Sequence, residues 1–127
     1  SLIPVNALVA ADAYIIPTPP EYLALEGLVG LEAAVNRIHA GIGDECHLMG
    51  IALTKVDRRR RVTEEIIQVI RDHYKEKVFR TEIRVDVRLV EAPSFGKSIF
   101  DYDSRSAGAE GYGQLAGEVI RREGKIL

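Results

Sequence analysis

The stretch HLMGIALTKVDRRRR, residues 47–61, decides the fold that we expect for this chain. Residues 47–54 form an apolar, β-compatible run of strand length, which predicts a buried strand. The run leads into Lys55, Val56 and Asp57 and then into four consecutive arginines. The sequence therefore predicts a strand that ends in a polar corner, and in open α/β sheets such strand ends face the ligand.

Helix-like and strand-like patterns alternate on both sides of this stretch. We expect helices over about residues 4–11, 21–40, 63–75 and 107–122, and strands over residues 13–17 and 78–83. Apolar and polar side chains alternate in the strand over residues 78–83, which is typical of an edge strand. The fold class is therefore α/β, with a mostly parallel sheet flanked by helices.

Three local signals mark where the helices begin and end. Gly41 and Gly43 predict the C-terminal cap of the long second helix. Either Thr63 or Asp57 is expected to cap the N-terminus of the third helix. Glu21 is expected in the first turn of the second helix, where a negative charge favours the helix dipole.

Composition indicates one globular domain, whole or partial, over residues 1–127. The chain is 46% hydrophobic and 28% charged, which is enough apolar material to bury a core. Its net charge of −2 argues against polyanion binding by the whole surface, so a nucleic-acid contact needs a local basic patch. The single Cys46 excludes an intrachain disulfide and is typical of a reducing compartment. We expect a cytoplasmic protein with no membrane partner.

The segment VRLVEAPSFGK, residues 87–97, carries the signals of a structured loop. Pro93 disfavours a helix, and Gly96 can adopt the positive φ that tight turns need. Connections held in a special shape often carry function. The sequence therefore predicts a structured loop that contacts a ligand.

This segment and DYDSRS, residues 101–106, together resemble a motif of the ParA/Soj partition ATPases. That family reads VRLSEAPSHGKPI and then YDPxSRGAExY near its C-terminus, and it belongs to the MinD-type P-loop proteins with a deviant Walker motif. Residues 17–28, PTPPEYLALEGL, are similar to the family's PxxxEYxALEGL, and residues 53–57, LTKVD, to its LLTxxD. The blocks follow the family's order and spacing and cover nearly the whole chain.

The resemblance implies that the fold is the C-terminal part of a mostly parallel, three-layer P-loop NTPase sheet. It also implies that the family's phosphate-binding loop and its magnesium-serving aspartate lie before residue 1. The intact family binds ATP and magnesium. We expect neither to bind tightly to this chain alone, and we expect no catalytic residue within it.

The resemblance assigns four residues to the adenine base of ATP, namely Thr54, Asp57, Arg84 and Asp86. The last two stand in the positions of the family's IPRN, where Arg84 replaces proline and Asp86 replaces asparagine. This exchange keeps a hydrogen-bond acceptor but loses an amide donor. Asp57 has an alternative reading as the cap of the helix that follows.

The resemblance assigns two further pairs of residues. Arg59 and Arg88 match the arginines with which the family grips DNA without reading its sequence, and their alternative reading is a solvated turn. Glu21 and Tyr22 match the block that borders the dimer face and the nucleotide, and their alternative reading is the start of a packed helix. His and Cys residues show no metal-ligand spacing, so we expect no metal site.

Two classes of function remain open. The first is part of a partition ATPase for chromosomes or plasmids, in which ATP forms a dimer, the dimer coats DNA at the nucleoid, and a ParB-like protein stimulates hydrolysis. The second is a non-catalytic interaction module that self-associates or complements another chain. An incomplete sheet exposes apolar edge surface, so we expect self-association.

Overall fold

The computed structural model describes residues 2–42 and 46–126. Its elements in chain order are α1 (Leu2–Ala10), β1 (Ala13–Thr18), α2 (Ala24–Ile42), β2 (His47–Val56), α3 (Arg61–Tyr74), β3 (Val78–Arg84), α4 (Val87–Ser94), α5 (Ile99–Tyr102) and α6 (Ala107–Ile126). A 3-10 turn, Lys75–Lys77, joins α3 to β3. The α/β class is confirmed, and each of the predicted strands and helices is present within a few residues of its expected bounds.

The three strands form a parallel sheet in the order β1-β2-β3. On one face, α2 and α3 cover the strands through a core that includes Leu28, Ile51, Leu53, Ile67 and Ile70. Parallel sheets carry long apolar runs because both faces are buried, which is why residues 47–54 gave so clear a strand signal. The sheet, with β3 as an outer strand, agrees with the C-terminal part of a P-loop NTPase fold.

The opposite face of the sheet is covered on the β3 side by α6. The guanidinium of Arg122 lies 4.1 Å from the ring centre of Phe79 and donates to the carbonyl oxygens of Met49 and Glu76, each at 2.8 Å. A Cβ added at Gly50 would lie only 2.5 Å from both side chains. Glycine is therefore required here so that α6 can approach β2 closely. Burial lowers the pKa of Arg122.

The predicted loop over residues 87–97 is wrong, because residues 87–94 form helix α4. Asp86 caps this helix by accepting the backbone N–H of Arg88 at 3.0 Å. Pro93 lies one residue before the end of the helix, so it interrupts little of it. Gly96 adopts the expected positive φ of 65°. The prediction gave Pro93 too much weight and overlooked the capping aspartate.

The predicted caps also differ from the structure. Arg60 is the N-cap of α3 and makes no side-chain capping bond, so neither Thr63 nor Asp57 caps this helix. Glu21 lies in the turn before α2, whose first turn carries Glu26 instead. Gly41 lies inside α2, and Gly43 lies outside the described residues.

The outer edge of β3 is irregular. Val78 pairs with Ile51, but Glu82 pairs with Leu53, so β3 bulges between these pairs. The bulge presents two backbone N–H groups, of Arg80 and Thr81, to the carboxylate of Glu118 on α6, at 3.0 and 2.6 Å. These bonds lower the pKa of Glu118, although burial opposes the shift. An acidic side chain thus covers N–H groups that an edge strand usually leaves free.

Helix α1 is apolar but buries none of its residues. Leu2 and Ile3 are 76% and 80% exposed. A stretch of this composition usually packs against other apolar surface. Within residues 2–42 and 46–126, no helix combines the length and the apolar character needed to cross a membrane.

Candidate functional site

The ends of β2 and β3 lie side by side. The N–H of Val85, just after β3, donates to the carbonyl oxygen of Val56 at 3.0 Å, which extends the parallel pairing past the last strand residue. The residues that follow the two strands therefore lie next to each other at the carboxyl-terminal end of the sheet. We call residues 54–59 and 84–88 the strand-end corner.

The corner contains the same four-residue pattern twice, VDRR at residues 56–59 and VDVR at residues 85–88. In each copy the aspartate accepts the backbone N–H of the arginine two residues later, at 3.1 Å for Asp57 and 3.0 Å for Asp86. Each aspartate also pairs with the guanidinium of that arginine, Asp57 with Arg59 at 2.9 Å and Asp86 with Arg88 at 3.6 Å. Sequence reasoning missed this repeat, although the V-D-x-R spacing is visible without a structure.

The first copy faces solvent. The Arg59 side chain is 88% exposed, and its guanidinium and backbone N–H lower the pKa of Asp57 to about 2. Lys55, two residues before Asp57, has a φ of 50° although it lies in β2. A side chain other than glycine rarely adopts this conformation, so the backbone is strained as it enters the corner.

The second copy is built into the fold. The Asp86 side chain is only 4% exposed, and it accepts the N–H of Gly108 at 2.8 Å as well as that of Arg88. These two bonds, that from Gly108 first, lower the pKa of Asp86. Arg88 in turn pairs with Asp103 at 2.8 Å. Asp86 therefore ties the start of α4 to the start of α6.

The remaining base candidates lie at the same end of the sheet. Thr54 is half-buried near the end of β2, and Arg84 is exposed at the end of β3. Both Asp57 and Asp86 already accept hydrogen bonds from their own turns, so an adenine amino group would have to share their oxygens. The assignment of these four residues to the base stays a prediction.

Arg58 points along β3 instead of into solvent. Its Nε donates to Glu82 at 2.9 Å, and its guanidinium pairs with Glu64 at 2.6 Å. Arg71 pairs with the same Glu82 at 2.9 Å. Because of these contacts the pKa of Glu82 is lowered even though burial acts to raise it. This cluster joins residues 24 positions apart, so it depends on the strand register.

The residues predicted for the dimer face follow β1. Tyr22 is 86% exposed, so it does not pack as the alternative reading required. Glu21 is exposed beside it. Since β1 is the neighbour of β2, these residues lie at the same end of the sheet as the strand-end corner, but one strand away from it.

The described part of the chain contains no group of three or more His, Cys, Asp or Glu side chains placed to hold a metal ion. Cys46 is a buried free thiol, and burial raises its pKa.

No protein-family model matches the chain. It is 40% identical over 123 residues to the chromosome partitioning protein ParA of Caulobacter vibrioides, a match that covers 97% of this chain and 46% of the relative. It is 44% identical over 117 residues to the chromosome-partitioning ATPase Soj of Thermus thermophilus, covering 92% and 47%. It is 42% identical over 118 residues to the sporulation initiation inhibitor protein Soj of Bacillus subtilis, covering 93% and 47%.

The chain spans slightly less than half the length of each of these curated relatives, while the matches cover nearly all of its own residues. Identity near 40% over more than 110 residues, together with an open parallel α/β sheet, agrees with the resemblance carried by residues 17–28, 53–57 and 87–106. The chain therefore belongs to the ParA/Soj-like family.

Proposed function

We propose that this chain supplies the DNA-contacting and base-contacting part of a ParA/Soj-type partition ATPase for chromosomes or plasmids. In this scheme ATP and magnesium, held largely by the rest of the protein, form a dimer. The dimer binds DNA non-specifically at the nucleoid, and a ParB-like partner stimulates hydrolysis and release. The observation that carries the proposal is the adjacency of the two strand ends, which gathers Arg59, Arg88 and the base candidates at one corner.

DNA contact follows from the geometry of the two arginines. Each guanidinium is a planar fork that fits a phosphate as well as a carboxylate, and Arg59 is almost fully exposed. A DNA phosphate can therefore replace Asp57 as the partner of Arg59, with release of counterions from the DNA. In the described part of the chain, neither arginine forms a cation–π contact with an aromatic ring. This supports binding that does not depend on base sequence.

Base contact follows from the acceptors at the corner. Asp57 and Asp86 place carboxylate oxygens, and Thr54 a hydroxyl, near the ends of neighbouring strands, which is where open α/β sheets bind nucleotides. The triphosphate of bound ATP would be held by the part of the protein that carries the phosphate-binding loop. The proposal gives this chain no role in holding the metal.

The test is DNA binding by the 127-residue chain, measured by fluorescence anisotropy with a labelled mixed-sequence duplex. We expect Arg59→Ala and Arg88→Ala each to weaken binding several-fold and to reduce the slope of log affinity against log salt by about one. Arg37→Ala is the charge-matched control, because it also removes one positive charge. Arg37 is exposed on α2, which covers a face of the sheet and does not belong to the strand-end corner. Equal affinities for the corner variants and the wild type would contradict the proposal.

A second candidate function is supported by the exposed apolar surface of α1. A non-catalytic module that self-associates, or that complements another chain, would bury Leu2 and Ile3 in its assembled form. Light scattering of the chain alone tests this, and we expect dimers or larger species. Ile3→Glu should shift the mass to that of a monomer, whereas Ile120→Glu, at an exposed apolar site on α6, should not. A monomeric wild type would exclude self-association.

A further inference from the structure

We propose that the outer side of β3 carries a second contact for duplex DNA, a phosphate track that continues from the strand-end corner along the strand. The edge track is defined by four exposed cations, Lys75, Arg80, Arg84 and Arg121. It extends the DNA binding proposed above and therefore rests on that function. None of its residues belongs to the arginine pair assigned there, and Arg84, which is also a base candidate, is the residue that the track shares with the strand-end corner.

Two open grooves form the track. One lies between the 3-10 turn and α6 and includes Lys75, Arg80 and Arg121 in its lining. The other lies beside the end of β3 and includes Arg80 and Arg84. Because Arg80 lines both grooves, they join into one path along the strand.

The charge of the two grooves opposes that of the rest of the chain. Their lining contains eight Lys and Arg side chains and four Glu, which gives a net charge of +4. The whole chain has 17 Lys and Arg and 19 Asp and Glu, a net charge of −2, so the other residues carry nine cations and 15 acids, or −6. A localised positive field of this kind attracts a polyanion to one face of an otherwise acidic protein.

Two of the four acids in the grooves are compensated by close partners, whereas the track cations have no such partners. Glu82 pairs with Arg58 and Arg71, and Glu118 accepts two backbone N–H groups. In the described part of the chain, the side chains of Lys75, Arg80, Arg84 and Arg121 have no carboxylate within ion-pair distance. Their charges are therefore available to an external phosphate, whose binding would release counterions.

The path is long enough to contact a nucleic-acid backbone at several points. Seven strand residues, Val78–Arg84, span roughly 23 Å at about 3.3 Å per residue. The track is therefore long enough to contact several phosphates of a DNA duplex. Arg58 lines the groove beside the end of β3 and is the chain neighbour of Arg59, so the track and the strand-end corner form a continuous surface.

Duplex DNA fits this surface better than an acidic protein does. Protein interfaces are centred on aromatic and other large apolar side chains, and no aromatic residue lines either groove within the described residues. Addition of a peptide strand to β3 is also disfavoured, because Glu118 already occupies the N–H groups of Arg80 and Thr81. The cations along the grooves remain as the binding feature, and cations of this kind recognise phosphates without reading bases.

The test measures the salt dependence of duplex binding for four single variants of the chain. Arg80→Ala and Arg121→Ala should each weaken binding about threefold at low salt and lower the salt slope by about one, whereas Arg37→Ala should change neither as much. Arg80→Lys should retain most of the affinity, because the contact depends on charge. Circular dichroism checks folding, which should be unchanged because both side chains are exposed.

The outcomes separate this inference from the proposed function. If Arg59→Ala and Arg88→Ala weaken binding but the track variants match Arg37→Ala, the track is wrong and the corner stands. If only the track variants weaken binding, the track stands and the arginine pair is wrong. A wild-type chain that fails to bind duplex, or that binds a poly-glutamate peptide more tightly than duplex, overturns the track.

Discussion

The two copies of V-D-x-R at the strand-end corner differ in what surrounds them. After β2 the pattern opens into a turn, so that Asp57 and Arg59 pair with each other in solvent. After β3 it begins a helix, and Asp86 is buried against the N–H groups of Arg88 and Gly108. The same local hydrogen bond thus serves as an available ion pair in one copy and as a structural joint in the other. The pattern alone does not decide between ligand contact and stability.

The largest expected effect is on stability at the buried copy. Asp86→Ala removes the cap of α4 and leaves the Gly108 N–H without its acceptor, so the free energy of unfolding should fall by about 2 kcal/mol. Asp57→Ala should leave the thermal midpoint nearly unchanged, because exposed ion pairs contribute little. Urea unfolding followed by circular dichroism measures both. Asp86→Asn keeps one oxygen for the cap but turns an amide NH2 toward the Gly108 N–H, so it should recover only part of the loss. Equal losses at the two aspartates would contradict the comparison.

The next effect is on the acidity of the two aspartates. Carbon-detected NMR titration should give Asp57 a pKa of about 2, below its ordinary value of 3.8, and Arg59→Ala should return it toward that value. The pKa of Asp86 should also be lowered, but Arg59→Ala should leave it unchanged. Because both folded-state values lie below the unfolded ones, each stabilising contribution is complete above about pH 4 and is lost as the pH falls below it. An Asp57 that titrates normally would show that its pair with Arg59 does not form.

A smaller effect is expected on DNA binding. Asp57→Asn should tighten duplex binding about threefold, because it frees Arg59 and removes a nearby negative charge. Asp86→Asn removes the same charge, but Arg88 keeps its pair with Asp103, so this variant should change affinity less. Anisotropy titrations at one salt concentration compare the two. Equal gains would mean that net charge alone, and not release of Arg59, controls binding.

The smallest effect concerns the strained entry to the first copy. Lys55→Gly should raise the free energy of unfolding by about 0.5 kcal/mol, because glycine adopts a positive φ without steric cost. Arg84 stands in the matching position, two residues before Asp86, and lies in β3 without a positive φ. Arg84→Gly should therefore lower stability, by about 0.5–1 kcal/mol. Changes of the same sign at both positions would contradict the difference in strain.

Much of the fold could be predicted from the sequence because apolar periodicity is a local signal. The apolar run over residues 47–54 predicted β2, and the amphipathic patterns predicted α2, α3 and α6. Helix α4 was missed because Pro93 and Gly96 are strong breaker signals, whereas the cap at Asp86 that establishes the helix is a single residue. The general position of the strand-end corner could also be predicted, because open α/β sheets bind ligands at the carboxyl ends of their strands.

The details of the corner could not be predicted, because they depend on contacts between distant residues. The pair of Arg58 with Glu82 requires the register of β2 against β3, and the burial of Asp86 requires α6 to begin beside it. The positive φ at Lys55 has no local sequence signal, since lysine is not a residue that favours it. The repeated V-D-x-R spacing, by contrast, could have been detected from the sequence alone.

The contacts of Arg122 have a consequence for how the chain acquires its structure. This one guanidinium, near the end of α6, closes a contact to Met49 that spans 73 positions of the sequence, and the glycine at position 50 leaves room for it. Contacts of such long separation carry a large loop-closure cost and are slow to form. We therefore expect the sheet and its α3 side to assemble early and the docking of α6 to be the late kinetic step, so that a chain emerging from the ribosome completes this layer only after residue 122 is free.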